Sequence, residues 1–76
     1  MSEMSSYWLP DGKIIFPYDT QNAHYPPWVI GAREKRGEKT EISHYRSPEF
    51  GRYITEKQAR KALNAYAVKN GLTPAY

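Results

Sequence analysis

The chain has 76 residues, no cysteine, a formal net charge of +3 and a mean hydropathy of −0.83, which is enough for one small domain over 1–76 and too little for a second core. Without cysteine there is no disulfide, thiolate zinc site or cysteine nucleophile, and no apolar run approaches the roughly 20 residues of a membrane span. The start, Met1-Ser-Glu-Met-Ser-Ser6, has neither the basic stretch nor the apolar core of a signal peptide, so a cytoplasmic protein with no membrane partner is expected.

The first predicted element is a short hairpin. Ser6–Leu9 and Lys13–Phe16 flank Pro10-Asp11-Gly12, where proline presets φ and glycine takes the positive-φ position. Residues 17–27 are polar and turn-rich, and the pair Pro26-Pro27 cannot occupy a central strand, so this stretch is predicted as a loop. A second hairpin follows, from 28–33 to 40–45 with its turn near Arg36 and Gly37, which places strands over about 6–16 and 28–45. Ser47–Gly51 reads as another loop.

A helix is predicted over about 56–70. Thr55-Glu56-Lys57-Gln58 has the form of a capping box, with Gln58 reaching back to the Thr55 N–H. Asn70-Gly71-Leu72 has the form of a Schellman stop, after which Pro74 forbids continuation. Ala59, Ala62, Leu63 and Tyr66 fall on one stripe, and Lys57, Arg60, Lys61 and Asn64 on the other. The expected fold class is α+β: a small antiparallel sheet of three to four strands, made of two hairpins, packed by one C-terminal helix. The expected core is Trp8, Ile14, Phe16, Trp28, Ile30, Ile42, Tyr53, Leu63 and Tyr66. A core this small leaves room for a partner or a second copy of the chain to complete it.

Catalytic constellations are not legible. His24 and His44 lack the spacing and company of a metal site, the acidic residues are scattered, and no glycine-rich phosphate loop is present. No catalytic residue, metal or cofactor is assigned, and the expectation is a protein that is not an enzyme.

Charge is unevenly placed. Residues 1–30 carry Lys13 against Glu3, Asp11 and Asp19, a balance of −2, whereas 31–76 carry ten basic residues against five acidic ones, a balance of +5. The densest cluster is the hairpin tip from Arg33 to Glu41, with Lys35 and Arg36, where four basic residues meet three glutamates. Interleaved glutamates oppose a polyanion. From 44 to 69 six basic residues, among them Arg46, Arg52, Lys57, Arg60 and Lys61, face two acidic ones, a surface suited to an acidic patch or to phosphate. Among the aromatics, Tyr18, Tyr25 and Tyr76 lie in predicted loops or the tail and are interface candidates. Stacking of single-stranded bases would need aromatics on one sheet face beside basic residues, and the aromatics belong to the negative half.

The strand-strand-helix order over 28–70, with the alanine-bearing helix from Thr55 to Leu72, resembles the plan of AP2-type and integrase arm-type DNA-binding domains. The resemblance is one of plan, and it implies DNA binding without assigning a residue to it.

The reading that follows is a non-enzymatic binding protein, a small regulator or inhibitor of the phage or mobile-element kind. It docks onto a host protein bearing an acidic patch, through Arg33, Lys35, Arg36, Arg46, Arg52, Lys57, Arg60 and Lys61. The alternative is direct binding of DNA or RNA by the same basic surfaces.

Overall fold

In the computed structural model, which describes residues 5–75, the strands are β1 (Tyr7–Trp8), β2 (Ile14–Asp19), β3 (Trp28–Arg36), β4 (Lys39–His44) and β5 (Thr73–Pro74), with helix α1 (Glu56–Asn70) before β5. They form one five-stranded sheet of order β4-β3-β2-β1-β5 in which every pairing is antiparallel. The helix packs across one face, so the architecture is α+β as expected. Among the described residues no helix is long and apolar enough to cross a membrane.

The turns follow their chemistry. Gly12 has φ +92°, and the Asp11 carboxylate accepts from the Lys13 N–H at 3.0 Å, closing the first hairpin. The second turns at Gly37-Glu38, two residues between the paired Arg36 and Lys39. Gly37 has φ +61° while Glu38 does not have positive φ, the pattern of a type II′ turn that matches strand twist.

Strand β2 runs on to Asp19, two residues beyond Pro17, where a loop was expected. The register explains why proline is tolerated. The Thr20 N–H donates to Pro27 C=O at 2.9 Å, so even-numbered residues of β2 bond towards β3 and the Pro17 nitrogen faces the other edge. There β1 has already ended its pairing at Tyr7–Ile15, and no N–H is missed.

Both ends of α1 are capped. The Thr55 hydroxyl accepts from the Gln58 N–H at 3.2 Å, but the Gln58 side chain accepts from the Ile54 N–H at 3.0 Å instead of from that of Thr55. At the far end Gly71 has φ +63°, and Leu72 N–H reaches Ala67 C=O at 2.9 Å, the bond of a Schellman motif. The reversal sends the chain into β5, which pairs with β1. This strand was not expected: two residues including a proline carry no periodicity to read.

The core corrects the expected list. Leu9, Ile15, Ile30, Ala32, Ala59 and Leu63 form the buried cluster, with Ala67 also buried in the helix. Ile14 and Phe16 of β2, Trp8 of β1 and Ile42 of β4 have the opposite parity and point away from the helix. The adjacent pairs Trp8-Leu9 and Ile14-Ile15 make both strand parities apolar, so alternation alone cannot choose the inner face. Packing chooses it. The buried stripe of the helix, Ala59, Leu63 and Ala67, covers Leu9, Ile15, Ile30 and Ala32, and Tyr7 of the same sheet face donates its hydroxyl to Asn64 Oδ1 of the helix at 2.7 Å. Trp28, Tyr53 and Tyr66 flank the cluster, partly buried.

Candidate functional site

The face of the sheet opposite α1 is built by parity. Register pairs place Ile14 beside Arg33, Phe16 beside Gly31 and Tyr18 beside Val29, then Arg33 beside Ile42, Lys35 beside Thr40 and Gly31 beside His44, while Trp8 joins from β1 beside Ile14. Val29 is fully buried yet lies outside the cluster under the helix. It is covered from this second face. Gly31 is required here, because a Cβ on it would stand 2.9 Å from Tyr18 Cβ. The Phe16 and Tyr18 rings meet edge to face, with centroids 6.1 Å apart, and Trp8, Tyr18 and Ile42 remain 43%, 36% and 49% exposed.

The pleat also sorts the charges of the β3–β4 hairpin. Glu34 and Glu41 are direct cross-strand partners, on the same side as Arg36 and Lys39. Arg36 lies between them, 3.5 Å from the Glu34 carboxylate and 3.8 Å from that of Glu41, which offsets the repulsion of two opposed carboxylates. Arg33 and Lys35 project to the other side, with His44. Among the described strand residues, that far face therefore carries basic, aromatic and aliphatic side chains and no carboxylate.

The cation-rich residues anticipated from sequence are not brought to one surface. Lys57 and Lys61 are exposed on the side of α1 turned away from the sheet, so the sheet stands between them and Lys35. Arg60 is held by Glu56 one helical turn earlier. Arg52 fastens the 20–27 loop: its Nε donates to Pro26 C=O at 2.9 Å, its Nη2 lies 3.4 Å from Thr20 Oγ1, and its guanidinium sits 5.8 Å from the Tyr25 ring centroid. Tyr25 is exposed on that loop. Tyr18, expected in a loop, belongs to β2, and Tyr76 lies outside the described residues. Sequence reasoning missed Trp8, Phe16 and Ile42 as surface residues; the signal for the first two was the doubled apolar parity of β1 and β2, and Ile42, the one apolar residue of β4, gave none.

A second feature lies at the end of β4. Tyr45 N–H donates to Ile30 C=O at 2.8 Å, and Tyr53 exchanges two backbone bonds with Trp28 at 2.7 and 3.0 Å. The chain thus leaves the edge of β3 at Tyr45 and returns to it at Tyr53. The excursion between them frames a cleft of 320 Å³ lined by His44, Arg46, Ser47 and Arg52 among others. Burial, and then repulsion from Arg46 and Arg52, holds the His44 imidazole below its ordinary value of 6.5. Among the described residues no three His, Asp or Glu side chains gather as a metal site requires.

No protein-family model matches the chain, and no curated protein or solved structure is significantly similar to it.

Proposed function

We propose that this protein is a non-enzymatic binding module that takes single-stranded nucleic acid on the sheet face opposite the helix. One observation carries the reading: Trp8, Phe16 and Tyr18 share that face with Arg33 and Lys35, Arg33 standing diagonally to Phe16, and no described strand carboxylate lies among them. Bases of any identity stack on exposed aromatic faces, and neighbouring cations track the backbone. Trp8 and Tyr18 are the stacking rings, and Lys35 supplies a phosphate contact. The glutamates that interleave with the basic residues in the sequence weigh less against a polyanion than their count implies, because Glu34 and Glu41 are turned to the other side and share Arg36.

The test is fluorescence anisotropy with labelled oligodeoxythymidine and oligouridine. Affinity falls between about 50 and 200 mM salt, with a slope near −0.7 per phosphate neutralised. Trp8→Ala weakens binding by roughly 5- to 150-fold, the equivalent of about 1–3 kcal/mol for one stacked base, and costs about 1 kcal/mol of stability as an outer-face strand residue, so the variant remains folded. No binding of either oligonucleotide at low salt, or an unchanged affinity in Trp8→Ala, would sink the proposal.

Docking onto an acidic surface of a protein is the second reading, favoured by Ile42, an aliphatic side chain 49% exposed beside Arg33. Apolar centres ringed by arginine and aromatics are what protein interfaces enrich. Its signature is a nuclease-resistant partner lost on Ile42→Lys. A regulatory or inhibitory role belongs to this reading.

A further inference from the structure

We propose that the cleft between the end of β4 and the 46–52 excursion is an anion site for a phosphate group, with Arg46 as its principal ligand and Arg52 as a fixed second cation. The cleft's 320 Å³ falls at the small end of the roughly 300–1,000 Å³ typical of ligand sites. The charge of its lining is of one sign: Arg46 and Arg52 stand with His44 and Ser47, and Tyr45, Phe50 and Gly51 complete the wall. The one carboxylate of the excursion, Glu49, is engaged by Lys69 at 2.7 Å.

The two arginines differ in a way that suits binding. Arg52 is immobilised by Pro26, Thr20 and the Tyr25 ring, so a ligand meeting it does not have to order a flexible side chain. Arg46 has no hydrogen-bond or ion-pair partner among the described residues, although its guanidinium lies near enough to His44 to disfavour the imidazolium. The two guanidinium groups repel one another, and an anion placed between them offsets that repulsion while accepting charge-assisted hydrogen bonds. Among the described residues, Arg46 and Arg52 act on His44 from the excursion, Gly31 is opposite it and Arg33 diagonally across on β3, while the carboxylates of Asp11 and Glu49 act on the neighbouring Tyr45.

Inorganic phosphate and the phosphodiester of a strand share this chemistry, and the experiment separates them. Nitrogen-15-labelled protein is titrated with sodium phosphate near neutral pH, against sodium chloride at matched ionic strength. Saturable shifts confined to residues 44–52 are expected, with the His44 titration midpoint moving upward as phosphate binds. Arg46→Gln cuts the phosphate affinity about tenfold or more, the scale of a hydrogen bond to a charged group, and Lys61→Gln leaves it unchanged. Non-saturating shifts, shifts spread equally to Lys57 and Lys61, or an Arg46→Gln protein that binds as wild type would overturn the assignment.

The site does not depend on the sheet-face reading. Titration with oligodeoxythymidine distinguishes the two: phosphate binding without oligonucleotide shifts at Trp8 and Tyr18 retains the cleft and removes the strand-binding role, whereas shifts at the rings with a silent cleft do the reverse. Shifts at both with an oligonucleotide, lost together at the cleft in Arg46→Gln, identify the phosphodiester as the source.

Discussion

The inner and outer faces of the sheet make neighbouring isoleucines unequal, and this is directly measurable. Ile15 is fully buried among Leu9, Ile30, Ala32, Ala59 and Leu63. Ile15→Ala removes buried carbon and leaves a hole that neighbouring alanines cannot fill, a change that costs roughly 2–5 kcal/mol in such cores. At about 0.05–0.15 kcal/mol per residue, a chain this size has only roughly 4–11 kcal/mol to lose. A cost of about 3 kcal/mol lowers Tm by roughly 12–24 °C in a domain of this length. Ile14 and Ile42 lie on the opposite face, half-buried and exposed, and Ile14→Ala or Ile42→Ala costs about 1 kcal/mol, mostly lost strand propensity. Because all three variants lose that propensity, their difference isolates burial. Urea unfolding followed by circular dichroism, with m unchanged, gives the three values. An Ile14→Ala protein as unstable as Ile15→Ala would refute the assignment of faces and, with it, the aromatic surface.

Two further outcomes follow from packing and titration. Gly31→Ala puts a methyl group 2.9 Å from Tyr18 Cβ, an atom tied to backbone; the expected cost is about 1–3 kcal/mol, read by urea unfolding, and a neutral or stabilised variant would show that the two strands yield freely there. The Tyr45 hydroxyl meets that of Tyr66 at 3.2 Å. This hydrogen bond, then burial, pushes the Tyr45 phenol up to about 12 from 10.0. The folded state keeps that proton after the unfolded chain has lost it, so the contribution is complete below pH 10 and lost as pH rises towards 12. Tyr45→Phe costs about 0.5–1.5 kcal/mol near neutrality and flattens the alkaline decline, as urea midpoints on either side of pH 10 would show; an equally steep decline in the variant would remove Tyr45 as its source.

The legible parts of the fold were those set by local chemistry. Thr55 and Gly71 bracket the helix because each satisfies backbone groups its neighbours cannot, and Gly12 and Gly37 mark turns that need positive φ. Strand faces were not local. Ile14 and Ile15 are interchangeable to any rule of hydrophobicity, and their fates diverge only once the helix covers one face of the sheet. The same limit hid β5, whose pairing with β1 exists because the helix stop turns the chain back towards Ser6, where Ala75 N–H finds Ser6 C=O at 2.8 Å.

Charge obeys the same geometry. Counted along the chain, Arg33 to Glu41 is nearly neutral, and that count argues against phosphate. In a strand, however, successive side chains leave opposite faces, so a contiguous count averages two surfaces that no single ligand meets together. The type II′ turn at Gly37 sets the register that puts Glu34 opposite Glu41; shifting it by one residue would bring a carboxylate onto the aromatic face. Arg36 bridges the two glutamates, which stabilises the register that keeps them away from Lys35. The relevant charge for recognition is therefore the charge of a face. For this hairpin it is fixed as much by a glycine and a bridging arginine as by the number of its lysines.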